Sequence, residues 1–253
     1  MPAVKQDAAL PPLEAFRSST LMVGVPAREV EQIFARFSRR DFESGSHVFR
    51  QGEPVLLYYL VLEGLAKGVQ SSREGAEAIL HVHGPGDLIG ALPTLGHASY
   101  PGSAVALTPL SVLAVDALDL EQVLRDHPQV AVNLLKAAAE VIREVHARLR
   151  EAGTLPVEPR IARTLCRLMR RCGEPCREGI VLELPLTRRD LASICGTTMY
   201  TVSRTLKSWE RRGWLHSRRR RLTVLDPLAL EGLAADGPAQ VCASAKKSSS
   251  PPA

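Results

Sequence analysis

A set of polar and basic side chains recurs at helical spacing between residues 199 and 212 of this chain of 253 residues. Intervals of four, three and four residues separate its members, so a helix would place them all on one face. Guanidinium and ammonium groups on one helix face can donate to base edges in a DNA major groove and to the phosphates beside it. The pattern indicates nucleic-acid recognition, with a surface helix bearing a solvated basic face as the alternative. The members are Tyr200, Arg204, Lys207 and Arg211.

The cysteines offer a second chemistry. Their number is five, which is odd, and the N-terminus shows no export signal, so we expect reduced thiols rather than a disulfide framework. Cys172 and Cys176 form a CxxxC without a second pair, which falls short of a zinc pattern and leaves a redox or metal-binding pair as a hypothesis. Cys166 and Cys195 are expected to be small core residues. We expect no enzyme, because no catalytic triad order, phosphate-cradling glycine loop or two-histidine metal helix is present.

Two short helices joined by a glycine turn must position the basic face. Thr187 and Asp190 form a capping box, which predicts the start of the first helix. Gly196 supplies the turn, and the second helix is expected to start one or two residues later and to stop at Gly213. The residues expected to face inward are Leu191 and Ile194 on the first helix and Met199, Val202, Leu206 and Trp209 on the second.

Further elements flank this helix pair, and positive charge is concentrated in the segment that contains them. Between residues 158 and 222 there are sixteen Lys or Arg against six Asp or Glu, a net of +10, whereas the rest of the chain sums to −5. This is the electrostatic footprint of a phosphate-binding face. Four successive arginines, 218–221, form the tip of a hairpin that we interpret as a wing against phosphates. The flanking elements are a basic helix over 160–171, a strand over 180–184, hairpin strands over 214–217 and 222–225, and a last helix begun by Asp226 and Pro227.

The preceding half of the chain has a strand pattern. Short apolar runs alternate with glycine-bearing turns from residue 42 to residue 115, a rhythm typical of a small β sandwich or barrel. A short helix over 28–37 comes before it. The runs lie at 47–49, 57–62, 78–82 and 111–115.

A long helix follows the β unit. Residues 129–151 contain no Gly or Pro, and their apolar side chains recur at alternating spacings of three and four, which is an a/d seam. The seam either packs on the β unit or pairs with a second copy of itself. A symmetric dimer would place two reading helices one DNA turn apart. The seam residues are Leu135, Ala138, Ile142, Val145, Leu149 and Ala152.

These segments predict an α+β chain with three parts: a β-roll sensor domain over 21–118, a dimerisation helix region over 119–152 and a winged helix-turn-helix over 153–233. Residues 153–159, which contain two prolines, are expected to be a hinge. We expect residues 1–20 and 234–253 to be disordered. The absence of a long apolar stretch or a secretion signal predicts a cytoplasmic protein without a membrane partner.

Four stretches in this order resemble the Crp/Fnr family of bacterial transcription regulators. They are VFRQGEP, YYLVLEGLAKG, HGPGDLIG and GTTMYTVSRTL, within a resemblance that covers about residues 34–225. The resemblance implies a cyclic-nucleotide-binding-like β roll, a homodimer on a palindromic DNA site, and RNA polymerase as a further partner.

The resemblance also implies roles for individual residues. Base reading is expected of Tyr200, Ser203 and Arg204, of which Arg204 matches an arginine that donates to guanine. Phosphate contacts are expected from Thr187, Arg188, Thr198, Lys207, Arg219 and Arg220. The effector pocket would include Gly86, Asp87, Gly90, Ala91 and Ser103.

Two departures from the family pattern limit this carry-over. Cyclic-AMP-binding members have a glutamate where Ala91 stands and an arginine near residues 101–103, so a buried phosphate would lack its cation and cyclic AMP is not expected. A glutamate that reads cytosine in other members is replaced by Tyr200, which either contacts a thymine methyl group or a base, or forms a half-buried cover over the turn.

The sequence offers more than one candidate for the chemistry by which the β roll senses its signal. No cysteine precedes Cys166, which argues against the iron-sulfur cluster that some members bind through N-terminal cysteines. Residues 79–87 and 100–104 are similar to the denitrification and nitric-oxide branch, which implies haem as a candidate cofactor. His81 and His83 fall on one strand face, and either could ligate its iron, with hydrogen-bonded strand histidines as the alternative.

We therefore predict a homodimeric, sequence-specific DNA-binding regulator whose β roll senses a small signal. The alternative is a ligand-binding signalling module whose basic C-terminal domain docks on a protein or membrane. The effector, the half-site sequence and the sign of regulation are not determined by the sequence.

Overall fold

The computed structural model describes residues 12–72, 77–90, 98–183, 186–218 and 221–235. Within these ranges a β roll, a long helix and a C-terminal domain with a small sheet follow one another, which confirms the predicted α+β architecture. Four residues to which the sequence analysis assigns a role or a state lie outside the described residues. They are Ala91, Arg219, Arg220 and Cys242.

Two antiparallel four-stranded sheets form the roll, with strand orders β1-β8-β3-β6 and β2-β7-β4-β5. The buried side chains of Tyr59, Val61 and Val112 lie in the core of the roll. The roll begins at residue 38 rather than 42, because β1 is an exposed edge strand whose charged sequence shows no apolar alternation. The strands are β1 (Ser38–Phe42), β2 (His47–Phe49), β3 (Leu57–Glu63), β4 (Ala66–Ser71), β5 (Glu77–His83), β6 (Leu88–Ile89), β7 (Ser103–Ala106) and β8 (Leu110–Asp116).

Part of the segment 1–20, for which the sequence predicts disorder, is helical in the structure; residues 1–11 lie outside the described part. Residues Pro12–Arg17 form helix α1, and α2 spans Ala27–Phe34. Phe16 is fully buried, with ring centroids 5.4 Å from Phe34 and 4.9 Å from Phe37. This one aromatic anchor orders a segment whose composition is otherwise polar.

Two helices follow the roll. The first, α3 (Ala117–Asp126), begins at Asp116, whose side chain accepts a 3.2 Å hydrogen bond from Leu118 N. The second, α4 (Pro128–Thr154), has 27 residues and is about 40 Å long. Asn133 Nδ2 ties α4 to the N-terminal segment by donating to two backbone carbonyls at 2.8 and 2.7 Å. None of the described helices, α4 included, combines the length and apolarity needed to span a membrane.

The hinge predicted over residues 153–159 is much shorter in the structure. The helix α4 continues to Thr154 and the next helix, α5 (Val157–Cys172), starts three residues later, so only Leu155 and Pro156 separate them. The prediction was too long because Pro159 lies in the first turn of α5, where the missing N–H of proline costs nothing.

The C-terminal domain packs its helices on a small sheet of order β11-β12-β10-β9. Its core surrounds Trp209, which is fully buried and donates from Nε1 to Glu158 Oε1 at 2.8 Å. Residue 184 of the predicted strand lies outside the described part. The remaining elements are β9 (Glu174–Cys176), β10 (Gly179–Leu182), α6 (Arg188–Cys195), α7 (Met199–Arg211), β11 (Leu215–Arg218), β12 (Arg221–Val224) and α8 (Pro227–Ala235).

Candidate DNA-binding surface and effector cavity

The first helix of the pair, α6, begins with the predicted capping box. Thr187 Oγ1 accepts a 3.0 Å hydrogen bond from Asp190 N, and Asp190 Oδ2 accepts a 2.8 Å bond from Thr187 N. Gly196 follows the helix with φ of +60°, the left-handed conformation that favours glycine. The start of α6 and the turn after it therefore lie where the sequence predicts them.

The second helix, α7, presents its apolar face to the core. Val202, Leu206 and Trp209 are fully buried, which confirms three of the four predicted inward residues. The fourth, Met199, is 53% exposed, so its prediction was wrong. At about 100° per residue Met199 lies roughly 60° from Val202, at the edge of the apolar face, and the first turn of the helix leaves it uncovered.

The opposite face of α7 is open to solvent. Tyr200 is 74% exposed, which contradicts its interpretation as a half-buried cover over the turn. The guanidinium carbon of Arg204 lies 5.9 Å from the centroid of the Tyr200 ring. Ser203, Lys207 and Arg211 are also exposed. The structure thus brings the predicted base-reading residues together on one accessible surface, backed by a rigid core.

The phosphate-contacting residues predicted on α6 and at the start of α7 differ in accessibility. Thr187 and Thr198 are exposed, and Thr198 caps α7 by accepting a 3.2 Å bond from Thr201 N. Arg188 is only partly exposed and donates to Ser217 Oγ at 2.6 Å, and its burial lowers its pKa. Arg188 therefore links the helix pair to the hairpin as well as lying near the surface.

The predicted wing is present. Strands β11 and β12 pair antiparallel, with Arg218 opposite Arg221 at the last described position before the tip. Both arginines are exposed. Glu210 on α7 accepts a 2.7 Å bond from Ser217 N, which fixes the hairpin against the recognition helix. The two hairpin strands are thus held next to α7, and Arg219 and Arg220 lie outside the described residues.

The apolar seam on α4 is uncovered along much of its length. Leu135 and Leu149 are 70% and 72% exposed, and Ile142 and Val145 are 55% and 50% exposed. Large aliphatic side chains in a stripe of this length expose a contiguous apolar surface that a partner would cover. The alternative prediction was that the seam packs on the β roll. Only the middle of the seam faces the roll, and there three seam residues border a cavity.

That cavity, of about 380 Å³, lies between the β roll and α4. On the roll side it is bordered by Gly90 and Ser103, two of the predicted effector-pocket residues, and by the stacked rings of Phe49 and Tyr100, whose centroids are 3.8 Å apart. The Tyr100 hydroxyl donates to the backbone carbonyl of Leu57. On the helix side it is bordered by Ala138, Val141, Ile142 and Val145.

The other predicted pocket residues lie elsewhere. Gly86 and Asp87 border a neighbouring, more polar cavity of about 520 Å³. Gly86 has φ of +85° in the turn after β5, and Asp87 Oδ2 accepts a 2.8 Å bond from Gly84 N. The two cavities adjoin, since His81, His83, Leu88 and Val141 border both, and the grouping of Gly86 and Asp87 with Gly90 and Ser103 in one effector pocket stays a prediction.

His81 and His83 lie on one face of β5, as predicted, with ring centroids 4.7 Å apart. Burial, together with the neighbouring imidazole of His83 and the guanidinium of Arg171, lowers the pKa of His81 to about 3. Burial also lowers the pKa of His83 to about 4. Both rings are therefore neutral near pH 7. The carboxylate of Asp87 completes a cluster whose ligand atoms all lie within 4.8 Å of one another.

The roll and the helix pair are joined by contacts that sequence reasoning missed. Lys67 Nζ on β4 lies 2.8 Å from Asp190 Oδ1, with both side chains mostly buried. Ser193 Oγ accepts a 3.0 Å bond from Ile79 N on β5. Residues more than 110 positions apart meet here, and no local pattern marks them. The first helix of the pair thus docks on the sensor sheet.

The cysteines are free thiols in the described part of the chain. Cys166 and Cys195 are 3% and 5% exposed, which confirms their prediction as core residues. Burial raises the pKa of Cys172 to about 11, and its thiol donates to Leu168 O at 3.1 Å. Cys176 is exposed on β9. A raised thiol pKa opposes the thiolate that redox and metal chemistry require, and the pairing of Cys172 with Cys176 stays a prediction.

Two family descriptions match the chain: "Cyclic nucleotide-binding domain" over residues 39–127 and "Crp-like helix-turn-helix domain" over residues 159–233. The chain is 26% identical to a "CRP-like cAMP-activated global transcriptional regulator" of Mycobacterium tuberculosis, over 84% of the chain and 95% of that protein. It is also 26% identical to the "Nitrogen fixation regulation protein FixK" of Bradyrhizobium diazoefficiens, over 87% of the chain and 92% of that protein.

A solved structure agrees with these sequence relatives. FixK2 from Bradyrhizobium japonicum superposes with a TM-score of 0.69 at 25% identity, covering 78% of this chain and 96% of that chain. The relatives and both domains are those of transcription regulators, not of enzymes.

Proposed function

The chain belongs to the Crp/Fnr family of transcription regulators, and from this premise we propose that it binds a palindromic DNA site as an effector-controlled homodimer. The observation that carries the proposal is the solvent-open face of α7 around Arg204, which lies directly opposite the buried Val202, Leu206 and Trp209. A helix supported from behind in this way can enter a major groove without rearranging its core.

Base reading is assigned to Tyr200, Ser203 and Arg204. Arginine forms a bidentate pair with guanine O6 and N7, so Arg204 is the specific contact. Tyr200 cannot accept from cytosine as a carboxylate does, and its 74% exposure leaves the ring available to a thymine methyl group or a base. We therefore expect the half-site sequence of this protein to differ from that of family members with a glutamate at this position.

Phosphate contacts are assigned to Thr187, Arg188, Thr198 and Lys207 of the helix pair and to Arg219 and Arg220 of the wing. These contacts orient the helices on the duplex and supply sequence-independent affinity. Support comes from the net charge of +10 between residues 158 and 222.

Dimerisation is assigned to the apolar stripe of α4. Its large aliphatic residues are half to nearly three quarters exposed in the single chain, and such a stripe pairs favourably with a symmetric copy. A dimer would also close the outer side of the effector cavity, because Ala138, Ile142 and Val145 belong both to the stripe and to the cavity lining. Effector binding and the geometry of the dimer would thereby be coupled.

The effector is assigned to the cavity of about 380 Å³ between the roll and α4. Among the described residues its lining is mostly aromatic, aliphatic and small, with Gln70, His81 and His83 as polar members and with no Arg, Lys, Asp or Glu. A buried phosphate without a cationic partner would be costly, so we propose a small uncharged ligand and not cyclic AMP, although one relative is named as cAMP-activated.

Haem fits the described residues poorly. The His81 side chain is only 12% exposed and faces Glu144, while Arg171 and Asp87 pack beside the two rings. A porphyrin is a large apolar ring, whereas the charged side chains of Glu144, Arg171 and Asp87 pack around these two histidines. We therefore do not assign haem to His81 or His83.

RNA polymerase is assigned as a partner by family membership alone. The alternative of a signalling module that docks on a protein or membrane is favoured by no described observation, because both the basic surface and the family are those of DNA-binding regulators.

Selection of bound duplexes from a random pool tests the proposal. The expected result is a palindrome with half-sites about 10 base pairs apart, read by two symmetry-related copies of α7. Arg204→Ala should remove the sequence preference and retain weak non-specific binding, because the phosphate contacts persist. Arg125→Ala, which removes a 70% exposed arginine of α3, serves as the matched control and should leave the selected motif unchanged.

Failure to enrich any motif, with the folded protein and its control alike, would refute sequence-specific binding. Enrichment of the same motif by Arg204→Ala would leave DNA binding intact but refute the assigned base-reading residue.

A further inference from the structure

A compact cluster of metal-ligating side chains lies where the β roll meets α5. His81 and His83 project from β5 and Asp87 from the turn that follows, and their ligand atoms all lie within 4.8 Å of one another. Ligand atoms bound at about 2.1 Å in a tetrahedral site stand about 3.4 Å apart. The ligand atoms must therefore approach one another by at most about 1.4 Å to bind one ion. Small side-chain rotations can supply this movement.

The neighbouring backbone holds these ligands in place. His81 pairs with Gly68 in the β4–β5 ladder. A methyl group on Gly68 would lie 3.4 Å from His83 Nε2, so the imidazole of His83 lies against the backbone of β4. The 2.8 Å hydrogen bond from Gly84 N to Asp87 Oδ2 keeps the carboxylate beside both rings. The ligands are therefore presented by a strand and a tight turn rather than by a loose surface.

Glu144 on α4 supplies the outer contact that metal-bound histidines commonly have. Its Oε2 lies 3.7 Å from His81 Nδ1. A carboxylate facing one ring nitrogen favours the tautomer with hydrogen on that atom, which leaves the lone pair of the other nitrogen for a metal. The cavity of about 520 Å³ that His81, His83, Asp87 and Glu144 border provides an entry path.

Arg171, in the last turn of α5, lies against the same carboxylates. Its Nη2 is 2.5 Å from Asp87 Oδ2 and its Nη1 is 3.8 Å from Glu144 Oε2. Its buried Nε has no hydrogen-bond partner among the described residues. An ion that binds Asp87 would compete with this guanidinium, which is a direct link between the roll and the domain that carries α7.

We propose that His81, His83 and Asp87 bind one divalent transition-metal ion, which competes with Arg171 for Asp87 and so changes how the DNA-binding domain docks on the roll. Two imidazoles and one carboxylate suit Zn²⁺ or Fe²⁺, whereas Mg²⁺ and Ca²⁺ prefer oxygen ligands alone. The binding of the ion does not depend on DNA, and its effect on DNA affinity rests on the proposed function.

Isothermal titration of Zn²⁺ into the full chain tests the site, with Co²⁺ absorption as a second probe. Cys172, Cys176 and Cys242 are replaced by serine in this background, because thiols bind zinc themselves. One ion per chain is expected. His83→Gln and Asp87→Asn should each weaken binding more than about tenfold. His146→Gln, at an exposed histidine of α4 outside the cluster, should change nothing.

Arg171→Gln should strengthen zinc binding severalfold, because it removes the competing cation. Loss of folding cannot produce such a gain, so this variant keeps the test decisive if a ligand variant is unstable. Mg²⁺ should bind weakly to every variant.

Zinc binding that is absent, or equal in His83→Gln, Asp87→Asn and His146→Gln, would overturn the site, as would stoichiometric uptake of haem by the same histidines. Zinc binding that leaves the affinity for selected DNA unchanged would overturn the coupling alone. Failure to select any DNA motif is a separate result that refutes the proposed function and not the metal site.

Discussion

Glu151 keeps a carboxylate in a nearly solvent-free position at the end of α4, where it is 5% exposed. Arg167 donates to both of its oxygens, at 3.0 and 2.9 Å, and Arg163 donates to Oε1 at 3.4 Å. Burial alone would raise the pKa of Glu151, but the two arginines outweigh it and hold the pKa below its usual value. This triad ties α4 to α5 across the short hinge.

The first prediction concerns the pH dependence of this triad. Because the pKa of Glu151 is lower in the folded than in the unfolded chain, its stabilisation is present above the unfolded pKa, about 4.3, and is lost as pH falls through the folded pKa. Glu151→Gln should lower the free energy of unfolding by about 2 kcal/mol at pH 7, and this difference should shrink below about pH 4. Urea unfolding followed by fluorescence of Trp209 and Trp214 measures it.

Glu121→Gln is the matched control, because Glu121 is half exposed and lies 3.9 Å from Arg125 on the surface of α3. It should change stability little at any pH. A destabilisation by Glu151→Gln that is constant from pH 7 to pH 3 would show that its carboxylate charge does not contribute.

Tyr200 and Arg204 show how far a family code transfers between members. The guanidinium of Arg204 lies 5.9 Å from the Tyr200 ring, within range of a weak cation–π contact. A glutamate at position 200 would place a negative charge next to this arginine and would accept from cytosine. Tyrosine does neither, so under the proposed assignment of base contacts we expect the base preference beside Arg204 to differ from that of glutamate-bearing members.

At the scale of elements, α4 has one well-packed end and one open stripe. Val130, Asn133 and Leu134 are buried against the N-terminal segment, whereas Leu135 and Leu149 are more than two thirds exposed. The buried end fixes the helix on the roll, and the open stripe is the surface that we propose for dimerisation.

The second prediction follows from this stripe. Leu149→Glu should weaken dimerisation about 100-fold, because a symmetric interface loses two buried leucines, at roughly 1.5 kcal/mol each, and gains two facing charges. Sedimentation equilibrium over a concentration series measures the dissociation constant. Leu118→Glu, at a 74% exposed leucine on α3, should leave the dimer intact. A Leu149→Glu variant that stays dimeric at the same concentrations would place the interface elsewhere.

Contacts between the sensor and the helix pair set the orientation of the DNA-binding domain. Lys67 and Asp190 are paired at 2.8 Å, and burial that would raise the pKa of Asp190 is outweighed by hydrogen bonds from Lys67 and Thr187, which lower it. Asp190 therefore caps α6 and binds the roll with the same carboxylate. The start of the helix pair is thus connected to β4 through a single side chain.

At the scale of the molecule, charge divides the chain into two parts. The segment from residue 158 to residue 222 carries +10, and the remainder carries −5. An acidic sensor half leaves the basic surface of α7 and the wing as the preferred contact for a phosphate backbone, so that DNA approaches the protein from one side.

The third prediction tests the wing. Replacing Arg219 and Arg220 by alanine should weaken binding to all DNA sequences and reduce the slope of log affinity against log salt by about 4, because the proposed dimer loses four phosphate contacts, two from each copy. The matched control replaces Arg125 and Arg143, exposed arginines of α3 and α4, and should leave the slope unchanged. Equal slopes for the wild type and the wing variant would remove the wing from the contact surface.

Local chemistry alone was enough to predict much of this protein. The capping box of Thr187 and Asp190, the turn at Gly196 and the helical periodicity of α4 and α7 depend on residues within a few positions of one another. Interactions of this range are formed by the chain segment itself, so their pattern is visible in the sequence. The basic face of α7 follows from the same periodicity.

The tertiary structure decided what depends on distant segments. Phe16 is buried by distant residues such as Leu60, Leu113 and Leu134 as well as by Phe34 and Phe37, and the local sequence around it does not indicate these contacts. Arg171 belongs to a basic helix in the sequence, yet it lies against Asp87, 84 positions earlier. Such pairs form when packing brings separate elements together, and their energy depends on burial and approach. Sequence spacing determined the DNA-reading helix, whereas the sensor cavity and the histidine cluster needed the fold.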